Sequence, residues 1–360
     1  MRLFRHLAAR TLVAFLGALA GVLVIFLAVD FVDYADQFTG PGWLLPALEL
    51  YANKTALVVR QVAPAAMIVG AGLAVSGLRQ TREWTAMRAL GLGPWRVAAP
   101  VSFVAVLAGL ALVVVHEKVG VHAAERVDEI RATRFGRPSE RRRIEAARAP
   151  KRWFRGADGR RIYHLRGALE GGGFEHVTIL EVTPDFRLGR RIDAERMRPD
   201  GAGWILEEAV ERTFRPDGTL ELDRSDLRRI VLDEPPEAFS VAPGKPAQMT
   251  FGRLVHQIGV RRRTGLPVAQ FELERYDRLA YPFAGLPGAL LAVALALRRE
   301  RRGHVSAALL ESVGVTLLFW GAQGVSAALG LSGSVPAWVS SWAPDLLFLA
   351  AGLWAVRRAS

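Results

Sequence analysis

The sequence predicts an α-helical membrane protein with six transmembrane helices, three before and three after an inserted all-β domain of the jellyroll type. Hydrophobic residues make up 51% of the 360 residues although 23% of the residues are charged. Both fractions are high, so the two classes must be segregated along the chain. Long apolar stretches lie towards both ends, and the middle is rich in Arg, Asp and Glu and in short strand-like segments.

Six apolar stretches are long enough to cross a bilayer, whose hydrocarbon core of about 30 Å needs about 20 helical residues. The first is too long for a signal-peptide hydrophobic region and has no convincing cleavage site. The stretches are 11–29, 59–78, 97–115, 279–297, 305–331 and 335–356. The predicted domains are 1–117 with spans one to three, 118–275 with the β domain and flanking helices, and 276–360 with spans four to six.

The charges between the spans predict the orientation, because cytoplasmic segments of membrane proteins are rich in Lys and Arg. With the N-terminus inside, the inward segments hold thirteen arginines and the short outward loops hold only Lys54. Both termini are therefore expected in the cytoplasm and the central domain outside. The net charge of +12 is explained in this way without a nucleic-acid partner. The chain has no Cys, so cysteine usage does not identify the compartment.

The central region reads as short strands at about ten-residue spacing, typical of a sandwich or a jellyroll. Two Pro-Asp-Gly tripeptides predict turns, since Pro presets φ and Gly permits a positive φ. The predicted strands are 160–165, 174–182, 203–214, 219–223 and 227–232. Residues 118–134 are expected to extend the third span as a helix, and 251–283 to form a helix, a break and a second helix that enters the fourth span.

The motifs of several enzyme classes are missing. No Gly-x-x-x-x-Gly-Lys-Ser/Thr run exists to cradle phosphate, so the chain is not expected to hydrolyse ATP alone. His116 and His122 are six residues apart, whereas a zinc-protease helix needs histidines four apart. No Gly-x-Ser-x-Gly nucleophile elbow occurs. We therefore expect no catalytic residue, no metal site and no cofactor on this chain.

Ionisable residues near the outer ends of the spans form a second group of candidates. One interpretation is a cationic rim that binds an anionic lipid headgroup. The alternative is snorkelling or ion pairing at the interface, which also applies to Glu311 and Asp345 in the last two spans. The headgroup candidates are Lys54, Arg60, His116, Lys118 and Arg278. Within the first span, Gly17-x-x-x-Gly21 predicts a face for close helix packing.

The segment between spans two and three predicts a short helix over 82–90 on the cytoplasmic side. Thr81 is the expected N-cap, Glu83 lies in the first turn, and Gly91 marks the end. Three apolar side chains are predicted to share one face: Trp84, Met87 and Leu90. Such a helix either rests on lipid at the interface or docks in a groove of a cytoplasmic partner, and the residues alone leave both readings open.

Five segments together resemble the LptF/LptG family of lipopolysaccharide transport permeases. The cytoplasmic segment of that family carries a Glu-Leu-x-x-Leu/Met-x-x-x-Gly-like run, and the first two spans look closer to the LptG branch. The resemblance covers nearly the whole chain and is weakest over 118–250. The matching segments are REWTAMRALGLGPWRV, LFRHLAARTLVAFLGALAGVLVIFLAVDFVDYADQF, QVAPAAMIVGAGLAVSGL, ERYDRLAYPFAGLPGALLAVALALRRERRG and WAPDLLFLAAGLWAV.

The resemblance implies a transport subunit of the Gram-negative inner membrane. Two paralogous permeases would form a heterodimer and bind a dimeric nucleotide-binding ATPase, which holds the ATP. The pair would extract lipopolysaccharide from the outer leaflet and pass it through the periplasmic jellyroll to a periplasmic bridge, assisted by a single-span jellyroll protein. By the same resemblance Glu83 is the coupling carboxylate, with Trp84, Met87, Arg88 and Leu90 around it.

The sequence departs from the family pattern in two places. Some members carry basic residues at the outer end of the first span, where this chain has Asp30, Asp33 and Asp36. The last span has Asp345 where Asn is usual. Two alternative functions stay open at this point: an ATPase-coupled membrane protein that transmits force to a periplasmic partner without moving lipid, and a membrane hydrolase.

Overall fold

A computed structural model describes most of the chain in two compact units. One unit comprises Met1–Phe135, Pro246–Phe251 and Ala269–Ser360, and the other comprises Gly136–Lys245 and Gly252–Val268. The described residues are 2–38, 42–135, 152–156, 159–168, 173–200, 203–215, 217–232, 245–263, 267–298 and 305–359.

The first unit is helical, and six of its helices are long and apolar enough to cross a membrane. The third of them runs from Trp95 through two π turns to Phe135, which confirms the predicted extension of that span. The helices are α1 (Arg2–Asp33), α2 (Leu44–Gln80), α3 (Glu83–Ala89), α4 (Trp95–Val115), α5 (Val121–Ile130), α7 (Ala269–Ala280), α8 (Gly285–Arg298), α9 (Val305–Leu331) and α10 (Ala337–Arg357). In the other unit, α6 (Phe251–Arg263) precedes the predicted break, whose Gly265 and Leu266 lie outside the described residues.

Close helix packing in the first unit uses small residues, as expected where van der Waals contact drives association. A Cβ at Gly70 of α2 would lie 2.6 Å from the backbone of Phe15 in α1, so only glycine permits this crossing. The packing face predicted at Gly17 and Gly21 is wrong for this chain's own described residues, because a Cβ at either position would meet no atom within 4 Å. The close contact between α1 and α2 lies instead at Phe15 of α1, and the glycine that permits it is Gly70 of α2.

The second unit contains one six-stranded antiparallel sheet with its strands in consecutive order. The predicted strands 174–182 and 203–214 coincide with β3 and β5. The jellyroll stays a prediction, because the described strands form a single sheet. The strands are β1 (Arg152–Arg155), β2 (Arg161–Ala168), β3 (Phe174–Val182), β4 (Leu188–Asp200), β5 (Gly203–Phe214) and β6 (Leu220–Ile230).

Two features of the sheet correct the sequence-based strand assignment. The segments 219–223 and 227–232, predicted as two strands, form the single strand β6, and β4 was not predicted at all. Strand β4 is dense in charge, but its charges pair across the sheet: Arg190 donates to Glu181 of β3 at 2.9 Å. The buried residues of β4 are Ile192, Ala194 and Met197. The many charged residues between them hide this pattern of buried positions in the sequence.

The core of the sheet unit lies on one face of these strands. Large side chains from four strands are almost completely inaccessible to solvent, and strand alternation brings them to the same side. They are Tyr163, Leu165, Ile179, Ile192, Met197, Trp204 and Leu206. Without disulfides, this apolar burial is what holds the strands together.

Candidate functional site

The candidate site is built on the short helix α3, which follows directly on the long helix α2. Helix α2 ends at Gln80, and Arg82 then adopts a left-handed conformation with φ of 59° that redirects the chain. Thr81 is therefore not the N-cap of α3, as the sequence suggested, but the residue that ends α2; Arg82 occupies the N-cap position. At the other end Gly91 has φ of 76°, and this confirms its predicted role as the helix stop.

One face of α3 packs into the helical unit. Trp84 and Met87 are about 95% buried and belong to the same apolar cluster as Leu7 of α1 and Val97 of α4. Leu90, predicted to share this face, is instead 78% exposed. A residue six positions after Trp84 has rotated by about a third of a turn from it, and α3 already ends at Ala89.

Glu83 at the start of α3 makes contacts inside the chain. Its Oε1 accepts hydrogen bonds from the Thr81 hydroxyl at 2.6 Å and from Arg10 Nη1 at 3.0 Å. His6 Nε2 lies 3.6 Å from the other carboxylate oxygen. The hydrogen bond from Thr81, followed by that from Arg10, lowers the pKa of Glu83 below its ordinary value although partial burial opposes this. Glu83 is thus held as a carboxylate with one oxygen less occupied than the other.

Arg10 and His6 were not singled out by sequence reasoning. Arg10 precedes Glu83 by 73 residues, so local spacing gives no hint of the contact. The available signal was weak: both residues lie on one face of α1, four positions apart. The tertiary fold brings that face beside the end of α2.

The outward surface of α3 is formed by other residues. Arg88 and Leu90 are exposed, as are the small side chains Thr85, Ala86 and Ala89. Of the five residues predicted to bind a partner, two are therefore buried anchors, two are exposed, and Glu83 lies between, with 38% of its side chain accessible. The exposed patch combines one cation, one large apolar side chain and a flat surface of small residues.

A second polar cluster occupies the opposite end of the helical unit. Glu274 of α7 lies 3.0 Å from Arg278 Nε and 3.3 Å from Arg60 Nη1. Arg60 Nη1 also lies 3.4 Å from His116 Nε2, and Arg278 is 3.6 Å from Glu117. Three of the predicted headgroup residues therefore meet, but two of them are paired with carboxylates. The Arg278 side chain is only 3% exposed.

The remaining two headgroup candidates lie apart from this cluster. Lys54 pairs with Asp30 of α1, whose carboxylate also accepts a hydrogen bond from Tyr51 at 3.0 Å. Lys118 is exposed. Asp30, near the C-terminal end of α1, is thus neutralised within the chain.

Asp345 of α10 is enclosed rather than snorkelling. It is 6% exposed, and neither carboxylate oxygen has a hydrogen-bond partner among the described residues. Its burial contradicts the snorkelling expected for it. Snorkelling remains an interpretation for Glu311, which is half-buried.

A shallow groove of about 380 Å³ lies along the C-terminal half of α1 and is lined by residues of this helix alone. Its lining is apolar over two turns and ends in carboxylates. The residues are Val22, Ile25, Phe26, Val29, Asp30 and Asp33. Within the described parts of the chain, no group of three His, Cys, Asp or Glu side chains is arranged to hold a metal ion.

Comparison with known families gives one match over nearly the whole chain. The family described as "Lipopolysaccharide export system permease LptF/LptG" matches residues 5–358. None of the curated proteins matches the chain. The coverage confirms the resemblance found in the sequence but does not distinguish the two branches. The chain belongs to the LptF/LptG family and is a multi-pass inner-membrane protein of the lipopolysaccharide export system.

Proposed function

Starting from this family membership, we propose that the chain is the permease subunit of an ATP-driven exporter that extracts lipopolysaccharide from the outer leaflet of the inner membrane. Both termini and α3 lie in the cytoplasm, and the sheet unit lies in the periplasm. A separate dimeric ATPase binds the nucleotide, a paralogous permease completes the heterodimer, and a single-span jellyroll protein assists. The chain itself needs no cofactor.

The observation that carries the proposal is the anchored helix α3 with its exposed outer surface. Buried Trp84 and Met87 fix the helix to the helical unit, so a force applied to its outer face reaches the spans. Leu90 and Arg88 offer an apolar side chain and a cation to a groove on the ATPase. An interfacial helix resting on lipid would instead turn its Trp outward to the headgroups, and Trp84 faces inward.

The acyl chains need an apolar surface during extraction, because each CH₂ left in water costs about 0.8 kcal/mol. The groove along α1 offers such a surface, with Ile25, Phe26 and Val29 in its wall. The paralogous permease would close its open side. The proposal assigns the passage towards the periplasmic bridge to the sheet unit, whose jellyroll form remains part of the proposal.

Anionic headgroups are bound weakly, in this proposal, by the cluster around Arg60 and Arg278. Carboxylates already compensate these cations, so a headgroup phosphate must compete with Glu274 or recruit the exposed Lys118. The ion-paired cluster therefore differs from the purely cationic rim that the sequence predicted.

Co-purification from the native membrane tests the central claim. The chain is expected to bring down a nucleotide-binding subunit, and Leu90→Asp is expected to reduce that yield at least tenfold. Thr85→Ser, on the same exposed surface, is the matched control and should leave the yield unchanged. ATP hydrolysis by the purified chain alone, or an ATPase yield that is insensitive to Leu90→Asp, would contradict the proposal.

The force-transmitting alternative has one observation in its favour: the described sheet face is filled with large side chains such as Trp204 and Met197. Photo-crosslinking distinguishes the two functions. A crosslinking amino acid at Ile25 of the groove and another at Leu222, a half-exposed apolar residue of β6, should both capture lipopolysaccharide if lipid passes along the chain. Capture at neither position, in an exporter that still hydrolyses ATP, favours force transmission.

A further inference from the structure

The structure places one arginine at the meeting point of three helices. Arg10 of α1 donates from Nη1 to Glu83 Oε1 of α3 at 3.0 Å. A Cβ built at Gly77 of α2 would lie 2.5 Å from Arg10 Nη2. The guanidinium therefore occupies the space that a side chain at position 77 would fill, and glycine at this position leaves room for it.

Helix α1 contacts the rest of its unit near both ends: its buried residues lie near Arg10, and its far end is joined to α2 through Asp30, which pairs with Lys54 and Tyr51. Its buried residues are Leu7, Thr11 and Phe15, all within the first half of a 32-residue helix. The C-terminal half, which lines the groove from Val22 to Asp33, has no buried residue. A helix of this length is about 48 Å long and bends little. A displacement at Arg10 is therefore carried along the helix to the groove.

We propose that Arg10, seated against Gly77, is a positioning residue that links the coupling helix to the lipid groove: it transmits movement of Glu83 to the first span. This inference rests on the proposed function. Trp84 and Met87 attach α3 to the helical core as a whole, whereas Arg10 gives it a directed connection to α1. The Glu83 oxygen that Arg10 does not bind lies 3.6 Å from His6 Nε2, and in this proposal it is the oxygen that meets a cation of the ATPase.

The contact between Arg10 and Glu83 has the strength and geometry needed to pass a movement of α3 to α1. A guanidinium–carboxylate hydrogen bond is stronger than a neutral one and fixes direction. Arg and Lys are not equivalent here. The Nη1 atom of Arg10 donates to Glu83, while its Nη2 atom lies against Gly77. A lysine at position 10 would keep the charge and lose one of these two contacts.

Four variants test the inference in the assembled exporter, reconstituted in vesicles containing lipopolysaccharide. Arg10→Ala removes the connection, and Arg10→Lys preserves only the charge. Gly77→Ala displaces the guanidinium without removing it, and alanine suits a helix better than glycine. Arg5→Ala is the matched control, because Arg5 is an exposed arginine on the same helix. The readouts are ATPase yield, ATP hydrolysis rate and ATP-dependent release of lipopolysaccharide.

Arg10→Ala is expected to keep the ATPase yield within twofold and to lower lipid release per ATP hydrolysed at least tenfold. Gly77→Ala and Arg10→Lys should fall between this variant and the control, which stays within twofold of the wild-type chain. Exchanging the charges, Arg10→Glu with Glu83→Arg, should restore part of the release that either single change removes.

Two results would overturn the inference. Wild-type release per ATP in Arg10→Ala would show that the contact transmits nothing, and a parallel loss of ATPase yield would make it an assembly contact. Failure of the proposed function itself looks different: the wild-type exporter would then release no lipopolysaccharide at all, whatever occupies position 10.

Discussion

The two ends of the helical unit each contain an arginine–glutamate contact, and these contacts differ in exposure. The contact between Arg10 and Glu83 joins two helices, whereas Arg278 and Glu274 lie one turn apart on α7. At one end Arg10 and Glu83 keep 28% and 38% of their side chains accessible. At the other, Arg278 and Glu274 keep 3% and 18%. The same chemistry is therefore solvated in one place and enclosed in the other.

This difference decides what each contact can do. An exposed pair contributes little to stability, about 0–1 kcal/mol, so it can exchange partners during a functional cycle at small cost. Removing one member of a buried pair leaves an uncompensated charge and is strongly destabilising. The exposed contact is suited to transmission. The buried residues are suited to holding helices in fixed positions, because Glu274 also contacts Arg60 of α2 and Arg278 also contacts Glu117, just after the end of α4.

The largest expected effect is at the buried contact. Arg278→Ala should lower the free energy of unfolding by about 3–5 kcal/mol, because Glu274 and Glu117 lose their shared cation. Thermal unfolding of the detergent-solubilised chain measures this. Arg275→Ala is the matched control, since Arg275 is only half-buried beside Tyr276 on the same helix. Equal losses for the two variants would remove the distinction between the two ends.

Asp345 extends the comparison to a buried carboxylate whose oxygens have no hydrogen-bond partner among the described residues. Asp345→Asn should leave stability unchanged or raise it by about 1–2 kcal/mol, because the amide removes the cost of enclosing an unpaired acid. Thermal unfolding at neutral pH checks the sign. Marked destabilisation would mean that the carboxylate is satisfied by a group outside the described residues.

Removing the exposed contact should be nearly silent in stability. Arg10→Ala is expected to lower the free energy of unfolding by less than about 1 kcal/mol, while its effect on lipid release is large. Thermal unfolding of Arg10→Ala and Arg278→Ala, measured side by side, gives the ratio of their losses in free energy of unfolding. A loss as large as that of Arg278→Ala would make Arg10 a structural residue.

The smallest effect concerns pH. The pKa of Glu83 is lowered on folding, so the carboxylate's contribution is fully present above its ordinary value of 4.5 and is lost as the pH falls through the lower folded value. Wild type and Glu83→Gln should therefore differ by a constant small amount between pH 6 and pH 8. Their melting temperatures should converge as the pH falls from the ordinary value of 4.5 through the lowered folded pKa. A difference that grows in acid would contradict this sign.

Particular residues mark how far the sequence predicted the site. Glu83 was placed correctly in the first turn and Gly91 at the stop, because dipole and capping preferences act within a few residues. The predicted N-cap, Thr81, was wrong: Arg82 occupies that position. Leu90 was misplaced since the assumed face continued past the end of the helix. Charge content concealed β4, whose cations pair across strands, and the close glycine contact of α1 lies on α2 rather than on α1 itself.

Local composition was enough to identify a six-helix membrane protein with a β insertion, because hydropathy and segment length depend on nothing else. The order of the segments also identified the family. The choice of which arginines face which carboxylates, and which of them solvent reaches, depended on the packing of the folded chain. Those pairings join residues 73 or 214 positions apart, and contacts at such separations are set by how whole helices pack.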